Sequence, residues 1–386
     1  MSDTYKSGKK YTYFITGGGT GGHIYPAVAI VDALQKDLET NQIYYVGNPD
    51  NMEYDIAKKK GFNFLPVKVS AMPRKIGFSL IGWGLQLVCA IFKAMFYIKK
   101  YKPDAILGTG GYVSAPALIA GITDGVPVMI HDCDAIPGIV SRYIAPNAQC
   151  VSLAFEKAAE RIKAKNICVN GNPLREEFKT LTKSEARKRI GLDENKLTLC
   201  VTGGSQGAKS INNAFVKIIK TLLNEYDIQI VFQTGKKKYD DVISELKKTY
   251  PEFESNKNLV VRPFFDNMTE VLKSADIAIS RAGSLSLSEL CASAVAPILI
   301  PYPHAAADHQ RKNAKFMVEK RAALYLEDAD TTPDTLLIAI QQLADDREKL
   351  ALIQKNIFAL AKPDATKNIV SSLKGIIKKW IRIKML

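Results

Sequence analysis

The chain has 386 residues, of which 47% are hydrophobic and 24% are charged. Those proportions exclude a disordered chain, a collagen-like rod and a porin-type barrel, and at roughly 150 residues per domain the length predicts two or three domains. Lysine and arginine number 53 against 39 aspartates and glutamates, a formal charge of +14, which calls for an anionic partner: nucleic acid, anionic lipid or a phosphorylated substrate.

Met1 to Lys10 is polar, has no apolar h-region and does not read as a secretory signal. Tyr11 to Thr16 is a β-rich run that ends in Gly17-Gly18-Gly19-Thr20-Gly21-Gly22, and Pro26, Val28, Ile30, Val31 and Leu34 then predict a helix. Ile43–Val46 is the next strand. From Ile76 to Phe92 there is no charge, with Arg74-Lys75 before it and Lys99-Lys100 after the segment that ends at Ile98. Such a stretch is borderline for crossing a hydrocarbon core of about 30 Å, and Gly77, Gly82, Gly84, Gln86 and Lys93 dilute it. A buried core helix and a helix lying on the bilayer surface are the other readings.

Ala105–Leu107 and Val126–Ile130 read as short buried strands. The first runs into a second glycine turn, Gly108-Thr109-Gly110-Gly111, and the second into His131-Asp132-Cys133-Asp134. Gly171-Asn172-Pro173 punctuates the chain and predicts a joint there. The opening pattern then recurs: Leu197–Thr202, the loop Gly203-Gly204-Ser205-Gln206-Gly207, and a helical pattern through Ile211, Phe215, Ile218 and Ile219. Further strands are expected at Ile228–Phe232, Leu259–Val261, Ile277–Ile279 and Ala296–Ile300, with helices at 266–274 and 286–294. Strand, glycine loop and helix, twice over and half a chain apart, predict two doubly wound α/β halves with parallel sheets. In the tail from Lys367 to Leu386, Ile369, Leu373, Ile376, Ile377, Trp380 and Ile383 share one side, with lysines and Arg382 mostly on the other. It reads as a helix packed back on a domain or as a membrane contact.

Ligands of doubly wound sheets gather at the carboxyl ends of the strands. All four histidines, His23, His131, His304 and His309, read as lying there, which predicts an active cleft. Backbone N–H groups of glycine loops approach anions closely, and three such loops argue for a large phosphorylated ligand. No GK[ST] follows them, and Asp32 and Asp37 come too early for a dinucleotide fingerprint, so ATPase and dehydrogenase readings weaken. After Ile277–Ile279, small residues open a helix whose N–H groups the serine hydroxyls can cap, and Glu289 follows as a ribose ligand or a helix-start carboxylate. Asp308-His309-Gln310 suits the hydroxyls of a sugar. Asp132-Cys133-Asp134 has the DxD spacing of some metal–diphosphate sites, but no other ligand accompanies it in the sequence. The six cysteines form no CxxC pair and read as buried thiols of a reducing compartment. There is no GxSxG elbow, and no RRM, helix-turn-helix or zinc-finger pattern, so nucleic acid is not an expected partner.

Seven motifs in order, GGGTGGHIYPAVAI (17–30), LGTGGYVSAPAL (107–118), GNPLR (171–175), GGSQGAKSIN (203–212), FFDNM (264–268), RAGSLSLSEL (281–290) and DHQRKNA (308–314), resemble the MurG family. These are bacterial glycosyltransferases that carry N-acetylglucosamine from UDP-N-acetylglucosamine to undecaprenyl-pyrophosphoryl-N-acetylmuramyl-pentapeptide in peptidoglycan synthesis. The resemblance runs from about residue 12 to 365. It implies the α/β GT-B fold, two doubly wound Rossmann-like domains with a cleft between them. Residues 1–172 would form an acceptor- and membrane-binding domain completed by a C-terminal helix at 365–386, and residues 173–364 a UDP-sugar domain.

The resemblance also implies roles. Thr20, Gly21 and Gly22 match the loop that faces the acceptor diphosphate, and Arg175 matches a cleft contact. Gly204, Ser205 and Gln206 match the donor loop, and Phe265 a position whose backbone meets uracil. Ser284, Leu285, Ser286, Leu287, Ser288 and Glu289 match the nucleotide-binding helix start, with Glu289 on the ribose, and Gln310 matches a sugar contact. Where the family commonly has His-Glu-Gln-Asn this chain has His131-Asp132-Cys133-Asp134, so a carboxylate at Asp134 replaces an amide that touches the donor. The expected chemistry is one inverting displacement with His23 as general base and Asp132 and Asp134 as alternatives. No cofactor or metal is required by this reading, and dependence on a divalent cation stays open. The expected partners are the donor, the muramyl lipid and an anionic membrane surface, at the cytoplasmic face as a peripheral protein. A GT-B enzyme acting on another lipid and a UDP-sugar epimerase are the rival readings.

Overall fold

A computed structural model describes residues 10–73, 77–305 and 308–384. The polar residues 1–9, Arg74-Lys75 with Ile76, and the last two residues of the tail lie outside that range. The chain divides into two compact units, Met1–Leu174 with Asp364–Leu386, and Arg175–Pro363.

The first unit is built on seven strands: β1 (Tyr11–Thr16), β2 (Thr40–Gly47), β3 (Asn63–Pro66), β4 (Ala105–Gly108), β5 (Val128–Asp132), β6 (Cys150–Leu153) and β7 (Ile167–Val169). They run parallel in the order β3-β2-β1-β4-β5-β6-β7. β1 is buried along its whole length, so both of its faces are apolar. Phe14 joins Val46, Ile106 and Ile130 on one face, beneath the helices Phe78–Tyr101 and Ala115–Thr123. Tyr13 and Ile15 join Tyr45, Leu107 and Met129 on the other, beneath Gly21–Gln35 and Ala365–Lys384. The period-2 alternation of a strand is what divides them.

The second unit has six strands: β8 (Leu197–Thr202), β9 (Ile228–Gln233), β10 (Leu259–Arg262), β11 (Ile277–Ser280), β12 (Ala296–Leu299) and β13 (Leu324–Tyr325). Their order is β10-β9-β8-β11-β12-β13, again all parallel. In each unit the strand order reverses beside the first strand, at β1/β4 and at β8/β11. A reversal leaves a crevice at the carboxyl ends, because the two crossovers leave on opposite faces. The glycine-rich loops 17–20, 109–111 and 203–207 and the turn 281–283 all emerge at these two points.

One expectation needs adjustment, and an open one is decided. The strand read at 126–130 is β5, two residues later: the Val126 N–H closes the preceding helix on the Gly121 carbonyl (2.8 Å), and Pro127 has no N–H to give. At its other end β5 pairs with β6 through His131 and Asp132, which are strand rather than loop residues. The tail is a helix packed back on the first unit. Ile369, Leu373, Ile376 and Ile377 are buried there, and Lys374 pairs with Asp37 (2.5 Å) and Glu39 (3.0 Å).

The Phe78–Tyr101 helix is long and apolar enough to cross a membrane. One edge, Ala90, Ala94 and Ile98, is nevertheless buried against the sheet. The other edge, Ile81, Leu85, Val88, Phe92 and Phe96, is between 48% and 66% exposed. It is therefore neither a core helix nor free of the sheet. Lys102, in the left-handed region (φ 48°) with its N–H on the Ile98 carbonyl, ends it one residue before Pro103.

Candidate active site

In the first unit β1 delivers Gly17–Thr20 into the switch point, and the next helix starts at Gly21. The loop rests on a buried carboxylate. Glu53 accepts the N–H groups of Gly19 (3.3 Å) and Asn48 (3.3 Å) and the Asn51 amide (3.2 Å). A Cβ at Gly18 would lie 2.6 Å from the Glu53 Oε1, so only glycine lets the loop sit that close. Gly111 meets the same loop from the other side at φ +78°, with a would-be Cβ 2.1 Å from the Gly18 carbonyl oxygen. Glu53→Ala removes the acceptor of three N–H donors and leaves a cavity. It is expected to lower stability by about 3 kcal/mol, read as a fall in the urea midpoint at constant slope, with Glu53→Gln recovering part of the loss.

His23 sits in the first turn of the helix. Its Nδ1 is 3.0 Å from the Thr20 hydroxyl, and its carbonyl accepts the Thr109 hydroxyl at 2.7 Å. Gly110 and Gly111 pack against the ring, with would-be Cβ atoms 2.7 and 3.2 Å from it. One ring nitrogen, the Cys133 sulfur and an Asp134 carboxylate oxygen all lie within 4.8 Å of one another. The fold thus brings Thr20, Gly21, Gly22, His23 and Asp134 into one place.

It does not bring Asp132 or His131 there. Asp132 is buried, and its two oxygens accept the N–H groups of Asp134 (3.1 Å) and Gly138 (3.0 Å), closing the turn after β5. Burial raises its pKa against those hydrogen bonds. It holds the turn, and the DxD spacing does not make a pair facing one ligand. His131 is fully buried, with Nδ1 3.1 Å from the Ser152 hydroxyl and Nε2 3.3 Å from the Asn172 amide oxygen. Loss of water pulls its pKa down to about 4, so it is neutral and structural. His304 and His309 belong to the second unit, the former exposed and edge-on to Tyr302 (5.6 Å). His131 is thus a structural residue of β5, while His23 stands at the start of the helix after the first glycine loop.

In the second unit Gly204 (φ +83°) turns the chain out of β8, its N–H on the Thr202 hydroxyl at 3.1 Å. Ser205 and Gln206 are exposed at the tip. Buried Gln233, at the end of β9, binds this loop to the next. Its amide nitrogen reaches the Gly204 carbonyl (3.3 Å), and its oxygen accepts the Phe265 N–H (2.9 Å). Phe265 is buried with the Arg262 guanidinium 5.2 Å over its ring. Sequence reasoning missed Gln233 as it missed Glu53, since neither belongs to a motif.

The helix Ser284–Ser293 starts on Gly283, with no side-chain cap. The expectation that serine hydroxyls cap it is not met, because Gly283 adopts the extended cap conformation (φ −66°, ψ 145°) without a hydroxyl and the Ser288 hydroxyl bonds back to the Ser284 carbonyl at 3.0 Å. The Leu287 N–H is the one that returns to the Gly283 carbonyl (2.9 Å), so the N–H groups of the preceding turn have no carbonyl within the helix and add positive potential there. Leu287 itself is buried, which leaves it only main-chain atoms for a ligand, whereas Leu285 and Ser286 are half-buried. Arg281 ties the turn down through the Ile300 (3.1 Å) and Pro301 (3.0 Å) carbonyls and Asp328. Gln310 accepts the Tyr302 N–H at 2.9 Å. Glu289 is half-buried; loss of water pushes its carboxyl up to about 7, and the positive charge of Arg175 pulls the other way. The second unit thus carries a switch-point loop, an uncapped helix start and a carboxyl with a raised pKa, groups chemically able to take an anion joined to a diol.

Comparison with known proteins agrees. Residues 13–153 match the glycosyltransferase family 28 N-terminal domain, and residues 198–369 match the glycosyltransferase family 28 C-terminal domain. The UDP-N-acetylglucosamine--N-acetylmuramyl-(pentapeptide) pyrophosphoryl-undecaprenol N-acetylglucosamine transferase of Desulforamulus reducens is 38% identical over 94% of this chain and 98% of its own length. The crystal structure of Acinetobacter baumannii MurG superposes with a TM-score of 0.73 at 27% identity, over 95% of this chain and 99% of that one. The Neisseria meningitidis UDP-GlcNAc 2-epimerase, at 13% identity and a TM-score of 0.64 over 94% of this chain and 99% of that one, shares the fold. With both domain families matched and a relative so similar along nearly its whole length, the chain belongs to the MurG family of GT-B glycosyltransferases.

Proposed function

We infer that the two units divide one reaction, the Met1–Leu174 unit receiving the lipid acceptor and the Arg175–Pro363 unit holding the nucleotide-sugar donor. The chain transfers N-acetylglucosamine from UDP-N-acetylglucosamine to undecaprenyl-pyrophosphoryl-N-acetylmuramyl-pentapeptide in peptidoglycan synthesis. The observation that carries the division is the second unit's switch point. There an uncapped helix start lies on the same helix as Glu289, a carboxylate able to accept two ribose hydroxyls.

The donor's diphosphate meets the main-chain N–H groups of Ser205 and Gln206 and those at Ser284–Ser286, uracil the backbone of Phe265, and Gln310 the sugar. As the anomeric carbon–oxygen bond breaks, its electron pair passes to the diphosphate, and positioned N–H groups with the helix dipole stabilise that charge without reorganising. The muramyl hydroxyl oxygen forms the new bond from the opposite face, giving inversion with no covalent sugar–enzyme intermediate. Its proton goes to His23. The Thr20 hydroxyl and the two glycines fix the ring, and an Asp134 carboxylate oxygen lies within 4.8 Å of one ring nitrogen. Thr20, Gly21 and Gly22 face the acceptor diphosphate.

The acceptor's polyprenyl tail stays in the bilayer, so the catalyst docks on the cytoplasmic leaflet as a peripheral protein. The exposed edge of Phe78–Tyr101 supplies apolar side chains, and Lys93, Lys99 and Lys100 supply cations for anionic head groups.

Radiolabelled UDP-N-acetylglucosamine with purified muramyl lipid tests the reaction: labelled lipid and UDP are expected in equal amounts. Label moving to diacylglycerol, or epimerised sugar without acceptor, would transfer the assignment to one of the rivals. Glu289 gives a second check. A carboxyl with its pKa at about 7 is mostly protonated at pH 6 and mostly ionised at pH 8. Ribose hydroxyls donate to the ionised form, so UDP binding is expected to tighten about tenfold over that interval. Glu289→Gln is expected to bind weakly with a flat pH profile, measured by calorimetry.

A further inference from the structure

We propose that His23, Cys133 and Asp134 bind a thiophilic divalent cation of the zinc class. His23 comes from the start of the Gly21–Gln35 helix and the other two from the turn after β5, and one donor atom of each lies within 4.8 Å of the others. Among the described residues this is the only group of three or more histidines, cysteines and carboxylates so arranged. An imidazole, a thiol and a carboxylate are zinc donors, with bonds of about 2.0–2.3 Å, which places the ligand atoms of a tetrahedral site roughly 3.3–3.8 Å apart. Contracting to that spacing takes about 1 Å of side-chain movement.

The surroundings hold each ligand. Thr20, Gly110 and Gly111 fix the imidazole. Asp132 accepts the Asp134 N–H (3.1 Å), and the Asn172 amide donates to the Cys133 carbonyl (3.3 Å), so the turn that carries two ligands is itself anchored. Such outer contacts orient ligands before the ion arrives. In the empty site the Cys133 thiol donates to the Gly22 carbonyl (3.2 Å). On binding, the thiol proton leaves to solvent, the thiolate, imidazole and carboxylate take three positions, and water takes the fourth. Cys133 is buried, but His23 and Asp134 are half-buried, which gives the ion a side to enter from.

A cation there occupies a lone pair of His23, so it inhibits transfer. This consequence rests on His23 as the base; the binding site does not. The test is titration of the full-length protein with Co²⁺, read by absorption. One equivalent with a thiolate-to-cobalt charge-transfer band is expected. Cys133→Ser abolishes the band, Asp134→Asn weakens binding at least tenfold, and Cys89→Ser, at an exposed cysteine, leaves both unchanged. No thiolate band, or a band that survives Cys133→Ser, overturns the site, and Asp134→Asn keeps the question decidable if Cys133→Ser does not fold. Zn²⁺ is then expected to inhibit UDP release reversibly by chelator, at a concentration raised at least tenfold in Cys133→Ser. Cobalt binding with no zinc inhibition would leave the site standing and overturn His23 as the base.

Discussion

His23→Ala is expected to reduce the turnover number by about 10²–10⁴-fold, the usual contribution of a positioned general base. UDP affinity is expected to stay within about twofold, since the nucleotide contacts proposed at Ser205, Gln206, Phe265, Ser284–Ser286 and Glu289 lie in the other unit. The effect should fall on kcat rather than on the donor KM. The imidazole has no packing role comparable to His131: its ring lies half-buried against two glycines and a threonine hydroxyl. Loss of activity through misfolding is therefore separable by the thermal midpoint, which should hardly move. Asp134→Asn keeps the shape and removes a carboxylate oxygen near the ring, so a smaller fall is expected. Near-normal turnover in His23→Ala would remove the residue as base.

Serine at Ile81, Leu85, Phe92 and Phe96 together is expected to abolish binding to anionic vesicles. Full burial of such a side chain is worth about 1.5–3 kcal/mol. Partial insertion of four of them still amounts to about 4 kcal/mol, near a thousandfold in partition. The fold should survive, because Ala90, Ala94 and Ile98, which face the sheet, are untouched. Raising the salt should weaken the wild-type protein's binding as well, through screening of Lys93, Lys99 and Lys100. Co-sedimentation with vesicles measures both effects, and unchanged binding by the four-serine variant would overturn the docking surface.

What the sequence made legible follows from the physics of each element. β1 (YTYFIT) and β8 (LTLCVT) are fully buried runs of β-forming residues, and each ends in a glycine-rich turn, so both strand–loop–helix units could be read directly. β3, β7 and β13 are edge strands with at most one buried side chain each, so no apolar run marks them. Glu53 lies in MEYDIAKK, where its carboxylate looks like any other on a polar helix. Only folding shows that it is the one buried under the glycine loop. His131 misled because β5 runs on past Ile130, pairing His131 with Ser152 and Asp132 with Leu153 of β6. Cys133 looked like one more buried thiol, and its neighbour His23 lies 110 residues away in the chain.

The central claim is that the second unit grips the nucleotide by bare main-chain amides and one carboxylate. A crystal structure with UDP-N-acetylglucosamine tests it most directly. Uracil is expected on the Phe265 backbone, the ribose hydroxyls on Glu289 and the diphosphate at Ser284–Ser286. Nucleotide bound instead at Gly17–Gly22 of the first unit would contradict it.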